Sequence, residues 1–341
     1  MALDLPEHGG DLAWAEARYG PPPGGAWLDF SANVHPDGCP PAVLRAASQA
    51  LDAVARYPDP ASRRATSVLA ARLGVPPESV LLTNGGAEAL HLALRHLRPR
   101  RVGLVEPCFA EYARAARAVD AAVHRWFPDP EVPWDGLAPE LLTCEAIVLG
   151  RPNNPTGRMP PLVDHPRVVW DEAFIDFVRG VPSLRQMAAD GGCIVAGSLT
   201  KLYGLAGLRA GYLVAAPREI RGMAALQPTW SVSAIAQAAV EAAAAVEVDL
   251  TWLSSAREEL SRGLREVGLR PLPAVANFVL AGDAAPDLAA RLARRGVLVR
   301  NCATFPGLGP NWIRVAVRRP ADNGRLIAAI SAANRDAARE G

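Results

Sequence analysis

Along most of this chain, short apolar runs alternate with longer stretches in which apolar positions recur at helical spacing. Runs at 80–82, 101–105, 146–149, 168–170, 193–197 and 211–214 are too short for helices and predict buried strands. Helical spacing predicts helices at 41–54, 61–73, 87–97, 109–119, 235–247 and 286–295, and the pattern at 235–247 continues to 267. Alternating strands and helices predict an α/β fold, a mostly parallel sheet with helices on both faces. Such a sheet binds ligands at the carboxyl ends of its strands. Here those ends fall near positions 83, 106, 150, 171 and 198.

Length and composition narrow the function without choosing it. A chain of 341 residues is long enough for two domains or one large α/β unit. A net charge of +1 makes no electrostatic case for nucleic acid or a membrane surface as partner. Gly, Pro or charged residues interrupt every apolar stretch before membrane-spanning length, and the acidic start Met1-Ala2-Leu3-Asp4 does not read as a signal peptide. The five cysteines are scattered, with no metal-ligand spacing among them or the six histidines, so reduced thiols, a cytoplasmic location and no metal are expected.

One residue changes the picture. Of the 36 Lys and Arg residues a single one is lysine, Lys201. Only lysine can lose its proton near neutral pH and attack a carbonyl. It lies in Gly197-Ser198-Leu199-Thr200-Lys201, and Arg209 follows in a Gly-rich stretch. Upstream, the 168–170 run ends in Asp171, and the 146–149 run breaks into Asn153-Asn154-Pro155-Thr156-Gly157. The segment Thr83-Asn84-Gly85-Gly86-Ala87 joins a strand to a helix; it reads either as a tight turn or as a phosphate cup built on free N–H groups.

In this order the motifs resemble the fold-type I enzymes that use pyridoxal 5'-phosphate, and the resemblance spans essentially the whole chain. It implies the aspartate aminotransferase fold: an N-terminal arm at 1–39 belonging to a small domain, a large cofactor-binding domain at 40–239, and the rest of the small domain at 240–341. It also implies roles. Lys201 would hold the cofactor aldehyde and serve as acid and base. Asp171 would pair with the ring nitrogen, and Asn154 would donate to the phenolic oxygen. Gly86, Ala87, Ser198 and Arg209 would bind the phosphate. Phe109 would stack on the ring, although plain core packing also accounts for it. Tyr57, in Arg56-Tyr57-Pro58, would reach the phosphate of a neighbouring subunit in a homodimer; otherwise it caps a turn.

Two sister groups resemble the chain further: threonine-phosphate decarboxylases of cobalamin biosynthesis and histidinol-phosphate aminotransferases. His8-Gly9-Gly10-Asp11, the segment from Val297 to Gly309, and Phe174 where the aminotransferases usually carry tyrosine favour the former. Decarboxylation of L-threonine O-3-phosphate is therefore the expected reaction, with amino transfer as the alternative. Both substrates are phosphorylated amines. Arg314 would fork a substrate carboxylate, or else face solvent on an edge strand. Arg300 would hold the substrate phosphate, with His8 and Asn33 closing over it. Two departures stand out. His35 replaces the second Asn of an Asn-x-Asn-Pro pattern, and Arg151 stands where a small or neutral residue is usual, as a second candidate for the phosphate. A cofactor-less, non-enzymatic relative would be expected to lack the lysine or the acid, and Lys201 and Asp171 are both present.

Overall fold

The computed structural model describes residues 5–340 and divides into two compact units. One comprises the chain up to Pro36, Asn154–Arg158 and Asp249 onward; the other comprises Asp37–Asn153 and Met159–Val248. The divisions thus differ from those expected at 39/40 and 239/240, and a five-residue piece beginning at Asn154 groups with the first unit.

The chain enters through α1 (Leu12–Tyr19) and the short strand β1 (Leu28–Asp29). The second unit follows, with α2 (Pro41–Gln49), α3 (Arg63–Leu73), β2 (Val80–Asn84), α4 (Gly85–Leu97), β3 (Arg101–Val105), α5 (Ala110–Arg117) and β4 (Ala122–Trp126). It continues through α6 (Pro139–Leu142), β5 (Ala146–Gly150), β6 (Val168–Asp171), α7 (Arg185–Ala189), β7 (Ile194–Ser198), β8 (Ala210–Val214), α8 (Pro217–Ala224) and α9 (Ala234–Ala243). Its seven strands form one sheet in the order β2-β8-β7-β6-β5-β3-β4. All pairings are parallel except those of β8, which runs against both neighbours. Every residue of β5, β7 and β8 is buried, which is why these strands read as apolar runs. Leu90, Leu94, Tyr112, Ala116, Ile220 and Met223 bring α4, α5 and α8 into a shared core with the strands.

The reversal of β8 matters for chemistry. Its first residue lies at the edge where the parallel strands end, with Asn84 opposite Ala210 and Ser198 opposite Gly211. Arg209, immediately before β8, is therefore returned to the edge that Ser198 leaves.

The first unit is completed by α10 (Leu253–Glu266), β9 (Arg270–Pro271), β10 (Phe278–Gly282), α11 (Leu288–Ala293), β11 (Val297–Leu298), β12 (Arg300–Asn301), β13 (Ile313–Ala316) and α12 (Pro320–Glu340). Its sheet has the order β12-β13-β10-β9, and β1 pairs with β11. Arg314 thus lies on an interior strand and is buried, which removes the edge-strand reading. The long helix expected from 235 to 267 is in fact two, separated by residues 244–252. Just before α10 the Asp249 carboxylate accepts the Thr251 N–H at 2.9 Å and its carbonyl accepts the Trp252 indole N–H at 2.9 Å, a local turn that competes with helix. Among the described residues no helix is long and apolar enough to cross a membrane.

Candidate active site

In the second unit the sheet edge assembles most of the residues singled out in the sequence. Helix α4 starts at Gly85, and Asn84 gives it no side-chain cap. Gly85 has φ +83°, and a Cβ there would lie 2.6 Å from the Arg209 guanidinium. A Cβ on Gly86 would lie 3.7 Å from both the Gly197 carbonyl and the Ser198 side chain. From the other side, a Cβ on Gly211 would collide with the Gly85–Gly86 backbone at 2.4 Å. Gly86, Ser198 and Arg209 therefore do come together, with Ala87 next in the first turn of α4, and Gly85 and Gly211 are the glycines their approach requires. The sequence placed Gly85 in a turn or phosphate cup without giving it a role of its own, and Gly211 was given none, because a glycine's neighbours are not visible there. Thr200 was also missed: its buried hydroxyl lies 2.7 Å from the Ser198 hydroxyl. Arg209 is exposed, adopts φ +57°, and donates to the Ala206 carbonyl at 3.3 Å.

Asp171 ends β6 and is only partly accessible. One carboxylate oxygen accepts the Ala173 N–H at 3.0 Å, the other the Tyr112 hydroxyl at 2.8 Å. Burial pushes its pKa up, while Tyr112, the Ala173 N–H and the nearby charge of Lys201 pull it down. Phe109 precedes α5, packs against the core and meets Tyr112 edge-on, with ring centroids 5.8 Å apart. Tyr57 is 80% exposed and stacks on the Trp230 ring, with centroids 4.5 Å apart.

Arg151 corrects an expectation. It is buried and donates to the equally buried Glu172 carboxylate at 2.7 Å and to the Pro182 carbonyl at 3.1 Å. Ser183 and the Leu184 N–H complete the acid's partners. Its charge is thus committed to bracing the strand end at Asp171, not presented to a substrate phosphate. Arg151→Ala would strand a buried carboxylate, and we expect it to cost about 3–5 kcal/mol of stability. Urea unfolding showing a loss below about 1 kcal/mol would contradict this role.

In the first unit, Arg314 donates one guanidinium nitrogen to the Asn154 side-chain oxygen and the other to the Ser31 carbonyl at 2.7 Å. Burial pushes its pKa down to about 10, so it is still a cation at neutral pH. Asn154 thereby spends its oxygen and keeps its amide N–H as the donor. Asn33 is buried, and its side-chain oxygen has no hydrogen-bond donor among the described residues. His35 is buried and meets the Trp252 ring edge-on at 5.8 Å. Arg300 is buried and donates to the carbonyls of Pro6 at 2.7 Å, Glu7 and Asn301, and to the Thr304 hydroxyl at 2.6 Å. In this arrangement it straps the N-terminal arm, and a substrate phosphate would have to exchange for some of those bonds. His8 is exposed and lines, with Gly9, Gly10, Ser31 and Arg300, a cavity of about 50 Å³. All five cysteines are unpaired, and burial pushes the thiols of Cys193 and Cys302 up to about 12 and about 11. Among the described residues no cluster of His, Cys, Asp and Glu is suited to a metal.

The chain is similar to proteins of known activity. Threonine-phosphate decarboxylase of Salmonella typhimurium is 36% identical over 360 residues, covering 97% of each chain. Histidinol-phosphate aminotransferase 2 of Ralstonia nicotianae is 32% identical over 342 residues, covering 90% of this chain and 88% of its own. The fold matches the crystal structure of histidinol-phosphate aminotransferase from Sinorhizobium meliloti in complex with pyridoxal-5'-phosphate, with a TM-score of 0.80, 22% identity, and coverage of 95% of this chain and 94% of that one. Residues 26–330 match the model of aminotransferase class I and II, and the chain belongs to that family.

Proposed function

We propose that this protein is a pyridoxal phosphate-dependent decarboxylase that converts L-threonine O-3-phosphate to (R)-1-amino-2-propanol O-2-phosphate, a step of cobalamin biosynthesis. The observation that carries the substrate is the 36% identity to a threonine-phosphate decarboxylase across 97% of both chains. The donor set fits the cofactor. A cradle that side chains at 85 and 86 would fill lies beside Ser198 and Arg209, and a partly accessible carboxylate ends β6. When bound, pyridoxal phosphate supplies an aldehyde for covalent attachment and an electron-withdrawing ring.

This chain's residues do the rest. Gly86, Ala87, Ser198 and Arg209 would hold the phosphate, Phe109 would pack on the ring, and Asn154 and Asp171 would bond to its oxygen and nitrogen. Lys201 would carry the attachment and, once displaced by the substrate amine, would supply the proton that takes the place of CO₂ on the substrate α-carbon. Arg314 takes the substrate carboxylate. Arg300, His8 and Asn33 belong to the substrate side, where the arm closes over the phosphate. Residues up to 39 and from 240 form the small domain of this reading, and 40–239 the large one. Tyr57, exposed on its Trp230 support, would reach the phosphate held by a second copy, which makes the working unit a homodimer; scattered, unpaired cysteines suit the cytoplasm.

The second reading is amino transfer, favoured by the 32% identity to a histidinol-phosphate aminotransferase. One assay separates the two. L-threonine O-3-phosphate should release CO₂ with no 2-oxo acid present. Glutamate formation from 2-oxoglutarate and histidinol phosphate, without CO₂ release from phosphothreonine, would replace the first reading with the second.

A further inference from the structure

Tyr112 has no task in the proposed reaction, yet it is fully buried and its hydroxyl meets Asp171 at 2.8 Å. The contact depends on its surroundings. Gly150 lies opposite Asp171 in the β5–β6 register, and a Cβ at position 150 would come within 2.9 Å of the Tyr112 oxygen. The missing side chain is what lets the phenol reach the acid. The same ring receives Phe109 edge-on. One residue of α5 therefore touches both the acid and the aromatic assigned to the cofactor.

We propose that Tyr112 is a positioning residue that holds the Asp171 carboxylate ionised and fixed for the cofactor's ring nitrogen, and props Phe109 against the same core. This rests on the pyridoxal phosphate reading above.

The electrostatics agree. Burial first, and the Asp171 carboxylate second, push the Tyr112 phenol well above its ordinary range, so it stays protonated and donates. A donor to a carboxylate favours its ionised form. The other groups facing the pair are the Lys201 amine, the Ala173 N–H, the Glu172 carboxylate tied to Arg151, and the Cys108 thiol beside Tyr112. Burial and Glu172 raise the Asp171 pKa; Tyr112, the Ala173 N–H and Lys201 lower it. Removing the hydroxyl leaves the raising influences less opposed. Asp171 then protonates at higher pH, and the acid-side loss of cofactor affinity moves upward.

The test is the pH dependence of the pyridoxal phosphate dissociation constant, measured by titrating apoprotein. Tyr112→Phe keeps the ring against Phe109 and removes only the hydroxyl. Its acid limb should move up by roughly one pH unit, with affinity about tenfold weaker within that window. In an Asp171→Asn background the same change should move nothing, because there is no carboxylate to keep ionised. A Tyr112→Phe curve superimposable on the wild type overturns the role. So does an equal loss of affinity with and without Asp171, which marks Tyr112 as packing only. Failure of the wild-type protein to take up pyridoxal phosphate overturns the proposed function itself.

Discussion

A Lys201→Ala protein is expected to lose activity by several orders of magnitude while remaining folded. Lys201 follows β7 in Ser198-Leu199-Thr200-Lys201 and is partly accessible at the edge where Asp171 and Ser198 end their strands. No other lysine exists to substitute for it. Lys201→Arg should fail as completely, because a guanidinium does not give up its proton near neutral pH and cannot attack the aldehyde. Borohydride treatment of the wild type with bound cofactor should fix pyridoxal phosphate on the peptide containing Lys201. Peptide mass mapping checks this directly, since the α-amino group is the only competing primary amine. A Lys201→Ala protein that still fixes cofactor at its site, or retains a tenth of wild-type turnover, would remove Lys201 from the chemistry.

The second unit's sheet was legible because its central strands are covered on both faces and leave apolar runs. Strand β4 was not. It lies at the sheet edge with Ala122, His124 and Arg125 exposed, so it leaves neither an apolar run nor a clean alternation. The strands β1, β9, β11 and β12 have two residues each, below the length at which any period can be seen. Helix α12 did leave a signal: Leu326, Ile330 and Ala333 are fully buried at helical spacing, diluted by polar residues and Gly324. For the candidate site, Lys201, Asp171 and Arg209 stood out in the sequence because lysine, acid and arginine cannot replace one another. Their supports were less so. Gly85 and Gly150 act by what they lack, and Tyr112 reads from sequence as one more core aromatic in a helix. Arg151 looked like a charge available to substrate, because pairing with Glu172 depends on two strand ends that meet only in the sheet.

Arg314→Ala is expected to lower kcat/KM for a phosphorylated α-amino acid by about 30-fold to several thousandfold, the range of 2–5 kcal/mol for truncating a buried charged partner. Its guanidinium is buried on the interior strand β13, within 5.4 Å of the Phe278 ring centroid. Its terminal nitrogens bond to neutral acceptors, the Asn154 side chain and the Ser31 carbonyl, and no carboxylate of the described residues forms an ion pair with it. A buried cation held only by neutral oxygens is costly unless a negative group completes it. Burial has already pushed its pKa down to about 10, and an arriving carboxylate would raise it again. Charge is lost as pH rises through that value, so the loss of substrate recognition at alkaline pH should begin lower in the free enzyme than in the substrate complex. Arg314→Lys should recover only part of the effect, because an ammonium cannot make the two parallel bonds of a guanidinium fork. The decisive comparison is between an amino acid phosphate and the matching amine phosphate without its carboxylate. Wild type should bind the acid far more tightly, and Arg314→Ala should bind the two alike. Since Arg314 also orients Asn154, cofactor affinity must be measured alongside; a loss confined to cofactor affinity, with the preference for the carboxylate intact, would place the substrate's negative charge elsewhere.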